Sequence, residues 1–302
     1  MSNYSRLKGV YAAGVTPLKA DFSLDLEWMP RLLEFFQQRG CHGVLLLGTT
    51  GEGPSFSPVE RLSIFRAAAD AQRSLPSFRI LAGTGTPSLE ETISLTRAAF
   101  DLGLDGVVVL PPFFFRKVSD DGLFAWYSEV LRQAVPSGGI FLCYHIPQIS
   151  GVAISLNLLT RLKDAFPDKF AGIKDSSGDI EHARQLGHKF GKDLLIYNGN
   201  DQLFRQAIDV GASGCITALA NVYSPTLRKI WDAYQQGGAD MESQQCISTA
   251  RDILERHLPA APFIKSLLNR QYHFPPWTVR PPLLPTGDEV VEKAILEMPA
   301  AG

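Results

Sequence analysis

The sequence is poor in cysteine and has almost no charge excess. Its four cysteines, Cys41, Cys143, Cys215 and Cys246, form no C-x-x-C pair. Three lie in or beside apolar runs, where a free thiol behaves as a small hydrophobe, so a reducing, cytoplasmic setting is expected. With 29 basic against 31 acidic residues the net charge is −2, which leaves no electrostatic footprint for nucleic acid or an anionic membrane. No stretch approaches the roughly 18 uninterrupted apolar residues of a membrane span, and the opening MSNYSRLKGVYAAG lacks the apolar core of a signal peptide. No lysine follows the glycines of Gly48 to Gly53, so they are no phosphate loop. Gly83-Thr84-Gly85 lacks the third glycine of a dinucleotide fingerprint. Both points count against nucleotide cofactors. The six histidines, His42, His145, His182, His188, His257 and His273, show no paired metal spacing. His182 and His188 are expected to face solvent and His145 to serve a loop hydrogen bond, and no metal is expected.

What is present is a chain of 302 residues, 45% hydrophobic and 20% charged, within the range of globular proteins. Short aliphatic runs alternate eight times with longer segments of helical period. The strand candidates are Gly9 to Val15, Gly43 to Leu47, Arg79 to Ala82, Gly106 to Leu110, Ile140 to Tyr144, Phe170 to Lys174, Leu194 to Asn198 and Gly214 to Thr217. Several are apolar almost throughout, as expected of parallel strands covered on both faces. Helices are expected over Leu26 to Arg39, Ser57 to Arg73, Leu89 to Leu102, Asp121 to Ala134, Ser155 to Ala165, Ile180 to Phe190, Gln202 to Val210 and Tyr223 to Gln235. Ser57 with Glu60 has capping-box spacing. Eight βα units without a linker predict a (β/α)8 TIM barrel over 1–236. Residues 237–302 read as a helical extension, with helices at Ala239 to His257 and Pro262 to Asn269 and a proline-rich tail from Pro275 to Pro285. A cap on the barrel or an oligomer contact is the expected role for it.

In such a barrel the site forms at the C-terminal ends of the strands. Thr16, the segment Gly48 to Gly53, Gly83 to Gly85, Tyr144 and Lys174 would all face one mouth. Lys174 closes an apolar strand, where desolvation favours a neutral amine able to attack a ketone and form a Schiff base. The same position also suits a lysine paired with Asp175 or in solvent. Tyr144 could relay a proton there or simply pack. The Gly48-Thr49-Thr50-Gly51-Glu52 segment offers backbone N–H groups and two hydroxyls to a small carboxylate. Lys265 is the only other lysine in an apolar context.

Taken together, Gly48-Thr49-Thr50-Gly51-Glu52, Tyr144-His145-Ile146-Pro147 and Gly172-Ile173-Lys174-Asp175-Ser176-Ser177-Gly178-Asp179 closely resemble the dihydrodipicolinate synthase and N-acetylneuraminate lyase family. Gly14 to Pro17, Ala82 to Gly85 and Arg280 to Pro285 extend the resemblance over nearly the whole chain. It implies a pyruvate-type Schiff-base enzyme, a homotetramer with no metal or organic cofactor. Lys174 would form the imine, Tyr144 would shuttle protons, and Thr49 would relay to it. The N–H groups of Thr49 and Thr50, beside Gly48, would hold the 2-oxo acid carboxylate near the Ile216 carbonyl.

Three departures bear on the substrate. Ile149 stands where the synthase branch has an arginine that grips its second substrate. Pro111-Pro112-Phe113-Phe114-Phe115 offers no phenol where the family usually has a relay tyrosine. Gly199, Asp201 and Gln202 partly resemble the polar residues that the sialic acid lyases use after strand seven, but Ala218 stands near where those lyases present a serine. Ser176 and Asp201 could still bind hydroxyls of a shorter polyol aldehyde. The resemblance therefore favours an aldolase acting on a 2-keto-3-deoxy sugar acid, to or from pyruvate and an aldehyde. A dihydrodipicolinate synthase, a dehydratase using the same imine, and a non-catalytic 2-oxo acid binding protein are the alternatives.

Overall fold

The computed structural model describes residues 4–301. Among them, eight parallel strands close into a barrel in chain order: β1 (Gly9–Ala13), β2 (Gly43–Leu46), β3 (Arg79–Gly83), β4 (Gly106–Val109), β5 (Phe141–His145), β6 (Phe170–Asp175), β7 (Leu195–Asn198) and β8 (Gly214–Thr217). Each falls within one or two residues of its expected span. Side chains alternate between two apolar cores. Tyr11, Leu45, Leu81, Leu142, Tyr144, Tyr197 and Ile216 fill the barrel interior, and residues such as Val44, Phe141, Cys143 and Ile173 meet the surrounding helices.

Those helices are α1 (Met29–Gln38), α2 (Pro58–Gln72), α3 (Leu89–Asp101), α4 (Asp120–Ala134), the single-turn α5 (Pro147–Ser150), α6 (Leu156–Ala165), α7 (Ile180–Phe190), α8 (Phe204–Asp209) and α9 (Ala220–Gln235). The Ser57–Glu60 capping box forms as its spacing predicts. Ser88, Ser119, Ser155 and Asp179 cap four further helices by the same chemistry.

One irregularity aims a side chain. Between Phe141/Phe170 and Leu142/Gly172 the register of β5 and β6 shifts by one residue. This β-bulge reverses the alternation beyond it. Ala171 points into the barrel and Ile173 outward, so Lys174, paired with the inward Tyr144 and Tyr197, points inward again. Gly172 is needed there, because a Cβ would lie 1.9 Å from the Leu195 carbonyl oxygen.

The chain beyond α9 forms α10 (Met241–Glu255), α11 (Ala260–Tyr272) and α12 (Asp288–Glu297). α12 was not anticipated from the sequence; the salt bridge from Arg270 to Asp288 (2.7 Å) and a second from Arg256 to Glu297 (2.7 Å) dock it. α10 crosses the start of α8, where the Gln244 amide donates to the carbonyls of Asp201 and Gln202 at 3.2 Å each. The proline-rich segment is fastened to the barrel, with Trp277 Nε1 donating to Asp25 (3.0 Å) and Thr278 N to the Leu18 carbonyl (3.1 Å). No described helix is long and apolar enough to cross a membrane.

Candidate active site

The strand ends open into a cleft of about 580 Å³. Its floor holds Thr49, Thr50, Tyr144, Lys174 and Ile216, and one wall is made by Ser176, Ser177, Gly199 and Asn200. The opposite wall comes from the C-terminal extension through Arg251, Leu254, Glu255 and Leu258 to Ala261. The extension is thus part of the cleft as well as a cap on the barrel.

Lys174 is buried, and its Nζ lies 4.2 Å from the centre of the Tyr144 ring. It does not turn toward Asp175, whose carboxylate instead accepts from Ser177 N (3.0 Å) and meets His182 Nδ1 (3.1 Å). The Tyr144 hydroxyl lies 3.2 Å from Thr49 Oγ1. Burial alone would push the Tyr144 phenol up, but the Lys174 charge and the neighbouring Thr49 and Ser176 hydroxyls outweigh it and bring the pKa below the ordinary value. A phenol so tuned gives up its proton more readily than a free one, which brings it nearer the range in which general acid–base catalysis is efficient.

The Thr49–Thr50 loop is held open by turning its carbonyls away. Thr16 Oγ1 donates to the Gly51 carbonyl (2.7 Å), Glu52 N to the Thr49 carbonyl (3.1 Å) and Gly53 N to the Gly48 carbonyl (3.2 Å). The Thr49 and Thr50 N–H groups find no acceptor among the described residues. Gly48 itself is buried behind the loop and does not line the cleft. Gly199 is close-packed, since a Cβ there would meet Ser176 Oγ at 1.9 Å. That contact fixes the wall beside the lysine.

Other expected site residues sit elsewhere. Thr84 does not face the mouth; it is fully buried, with its hydroxyl 2.8 Å from that of Thr96 on α3. Asp201 is fully buried behind the wall, 3.2 Å from Arg251 Nη1. Burial raises its pKa, with Arg251 opposing, and its Oδ1 has no partner. Arg251 Nε also donates to Glu255 (2.7 Å), so the one cation of the distal wall among the described residues is already paired twice. Arg251, Glu255, Gln148 and Asn200 carried no signal in the sequence, because nothing in a helical repeat or a loop marks which end reaches a cleft built by distant strands.

His182 is half-buried rather than solvent-facing, while His188 is exposed as expected. His145, Asp175 and His182 bring three donor atoms within 4.8 Å of one another, an arrangement that the sequence spacing did not reveal. Hydrogen bonding argues against a metal there. His145 Nδ1 accepts from Ile154 N (3.0 Å), which leaves the ring proton on Nε2 and no free lone pair for an ion.

A closed parallel barrel whose mouth joins a buried lysine, a tuned tyrosine and an open N–H loop defines the class of lysine Schiff-base lyases. Comparison with known proteins agrees. Residues 6–297 match the model of the Dihydrodipicolinate synthetase family, and the chain belongs to that family, whose members are aldolase-type lyases. It is 38% identical over 285 residues to an uncharacterized DapA-like lyase of Chloroflexus aurantiacus, covering 94% of this chain and 93% of that protein. It is 33% identical over 248 residues to the 4-hydroxy-tetrahydrodipicolinate synthase of Corynebacterium urealyticum, covering 82% of this chain and 78% of that protein. Among solved structures, dihydrodipicolinate synthase from Agrobacterium tumefaciens superposes with a TM-score of 0.86 at 31% identity, covering 96% of this chain and 97% of the other.

Proposed function

We propose that the enzyme is a class I aldolase that cleaves or forms a 2-keto-3-deoxy sugar acid, with pyruvate as the imine-bound partner. The carrying observation is Lys174 Nζ against the Tyr144 ring, with the Tyr144 hydroxyl in turn meeting Thr49. Lys174 attacks the 2-oxo carbon, and loss of water leaves a protonated imine. In the cleavage direction Tyr144 takes the proton of the C4 hydroxyl as the C3–C4 bond breaks, and the bonding pair moves into the imine to give an enamine. The aldehyde leaves, a proton returns to C3, and hydrolysis frees pyruvate and Lys174. Thr49 Oγ1 serves as the next station for the proton. The Thr49 and Thr50 N–H groups hold the carboxylate, near the Ile216 carbonyl.

The distal wall supports a neutral, hydroxylated partner. Ile149 lines the cleft where a second carboxylate would need a cation, and Arg251 is spoken for by Asp201 and Glu255. Ser176, Asn200, Gln148 and Glu255 offer donors and acceptors to hydroxyls instead. Borohydride reduction in the presence of pyruvate, followed by peptide mapping, is expected to modify Lys174, and Lys174→Ala is expected to abolish both adduct and turnover. Pyruvate release from a 2-keto-3-deoxy sugar acid should exceed condensation with aspartate semialdehyde. An adduct elsewhere refutes the imine assignment, and the reverse preference refutes the substrate class.

We infer a homotetramer in a cytoplasmic setting. Phe114 and Phe115 pack edge to face with ring centres 5.4 Å apart, yet are 77% and 69% exposed in this protomer. Neighbouring copies would cover such a patch, and an active monomer in light scattering would refute this. Cys41, Cys143 and Cys215 are buried as free thiols, which suits a reducing compartment.

A further inference from the structure

The buried pair formed by Glu52 and Lys265 is not used by the chemistry above, and it joins the carboxylate loop to a helix more than 200 residues away. Both side chains are almost fully buried, at 0% and 1% exposure. Lys265 Nζ, on α11, lies 2.5 Å from Glu52 Oε1 and donates to the Thr278 carbonyl at 2.7 Å. Neither residue lines the cleft. A pair so placed gives no assured gain in stability, because the cost of desolvating two charges offsets their attraction. What it supplies is direction, since two short bonds from one nitrogen fix the loop relative to α11 and to residue 278.

The loop needs such an anchor. Leu47 and Glu52, which bracket Thr49 and Thr50, both adopt left-handed backbone, with φ of 55° and 56°. This conformation is unfavourable for side chains other than glycine and persists only where surroundings impose it. Arg280 fastens the far side of the same loop, donating to the Ser55 carbonyl at 2.9 Å and pairing with Glu60. Glu52 stands at the turn itself, and its N–H is the donor that turns the Thr49 carbonyl away.

We propose that Glu52 and Lys265 are positioning residues for the carboxylate of the 2-oxo acid, acting through the Thr49 and Thr50 N–H groups. This inference rests on the proposed imine chemistry. The pair keeps both N–H groups aimed at one point above Lys174, so its removal weakens recognition of the carboxylate and leaves the lysine able to react.

The test compares pyruvate with hydroxyacetone, a ketone of similar size without a carboxylate, in reductive trapping on Lys174. The variant is Glu52→Gln with Lys265→Met, which removes both charges and keeps the volume. The half-saturating pyruvate concentration is expected to rise about tenfold, the scale of one weakened charge-assisted hydrogen bond, with hydroxyacetone trapping within about twofold of wild type. Unchanged pyruvate saturation, or equal losses for both ketones, overturns the proposal, because a merely structural role predicts one or the other. Glu52→Asp, which keeps both charges and shortens the reach to Lys265, gives the same discrimination should the double variant not fold. Failure of the wild-type protein to trap pyruvate would instead refute the imine chemistry, and this inference with it.

Discussion

His145 makes a sharp prediction about acid stability. It is buried beside Lys174's strand partner, accepts the Ile154 N–H at Nδ1 and lies against His182, with ring centres 4.6 Å apart and the rings tilted by 32°. Burial, opposed by Asp175 and reinforced by the His182 charge, holds its pKa down at about 4, against 6.5 for a free histidine. An unfolded chain therefore binds a proton here from pH 6.5 downward, and the folded chain only near 4. Between these values the unfolded state holds more protons, so stability falls as pH falls. At about 1.4 kcal/mol for each tenfold change in the protonation equilibrium, the full loss comes to roughly 3 kcal/mol. The neighbours leave this window clear. His182 is raised above 6.5, chiefly by its hydrogen bond to Asp175, so its contribution is fully present below 6.5 and lost only as pH rises through the folded value. Asp175, although burial opposes it, is brought below 3.8 by His182 and Ser177, so its contribution fades only under stronger acid. The assay is denaturant unfolding of wild type and His145→Asn between about pH 7 and about pH 4.5. The asparagine keeps an acceptor for Ile154 N without titrating. The wild-type protein should lose most of the 3 kcal/mol relative to the variant over that range, an order-of-magnitude figure. A difference constant with pH would refute the reasoning.

Three further outcomes are expected. Tyr144→Phe should lower kcat by about 10²- to 10⁴-fold, the usual worth of a placed proton donor. Because the wild-type phenol is held below its ordinary pKa and must accept the C4 hydroxyl proton, cleavage should rise with pH as the phenol ionises, and the variant should lack that limb in a pH–rate profile. Ile149→Arg places an unpaired cation at a cleft position that is 59% exposed; kcat/KM for a carboxylate-bearing aldehyde such as aspartate semialdehyde should rise about tenfold or more, since such contacts contribute roughly 1.5–3 kcal/mol. Arg251→Met should cost about 3–5 kcal/mol in denaturant unfolding by stranding the buried Asp201, and adding Asp201→Asn should restore much of it.

The eight strands were legible because several are apolar almost throughout, with polar residues such as Arg79, Lys174, Asn198 and Thr217 only at their ends, the pattern expected of parallel strands covered on both sides. That Lys174, Tyr144 and Thr49 lie at one end of the barrel was legible, since strand order brings strand ends to one mouth; the direction in which Lys174 points was not. The bulge at Gly172 was not legible. A strand read straight through from Ala171 would have turned Lys174 toward the helices, and the shift that turns it back depends on where Leu195 lies. His182 was misread because its partner, Asp175, lies across a turn whose path only the structure gives. Thr84 was misread because a strand-end hydroxyl can bond backward to a helix as readily as forward into a cleft.

The distal wall shows where the sequence has least to say, and this has a consequence for the enzyme. In the proposed reaction, imine formation would depend on β2, β5 and β6, whose ends are fixed by barrel closure, whereas the far end of the substrate would meet α10 and the start of α11, which line the same cleft. Arg251 and Glu255 sit one helical turn apart on a surface otherwise marked only by its apolar stripe. A change there alters the groups offered to the aldehyde without moving Lys174 or Tyr144. The Glu52–Lys265 pair limits that freedom, because it ties α11 to the Thr49–Thr50 loop proposed to hold the carboxylate. Substitutions along α10 should therefore shift substrate preference with pyruvate handling preserved, and disturbances of α11 near Lys265 should change both.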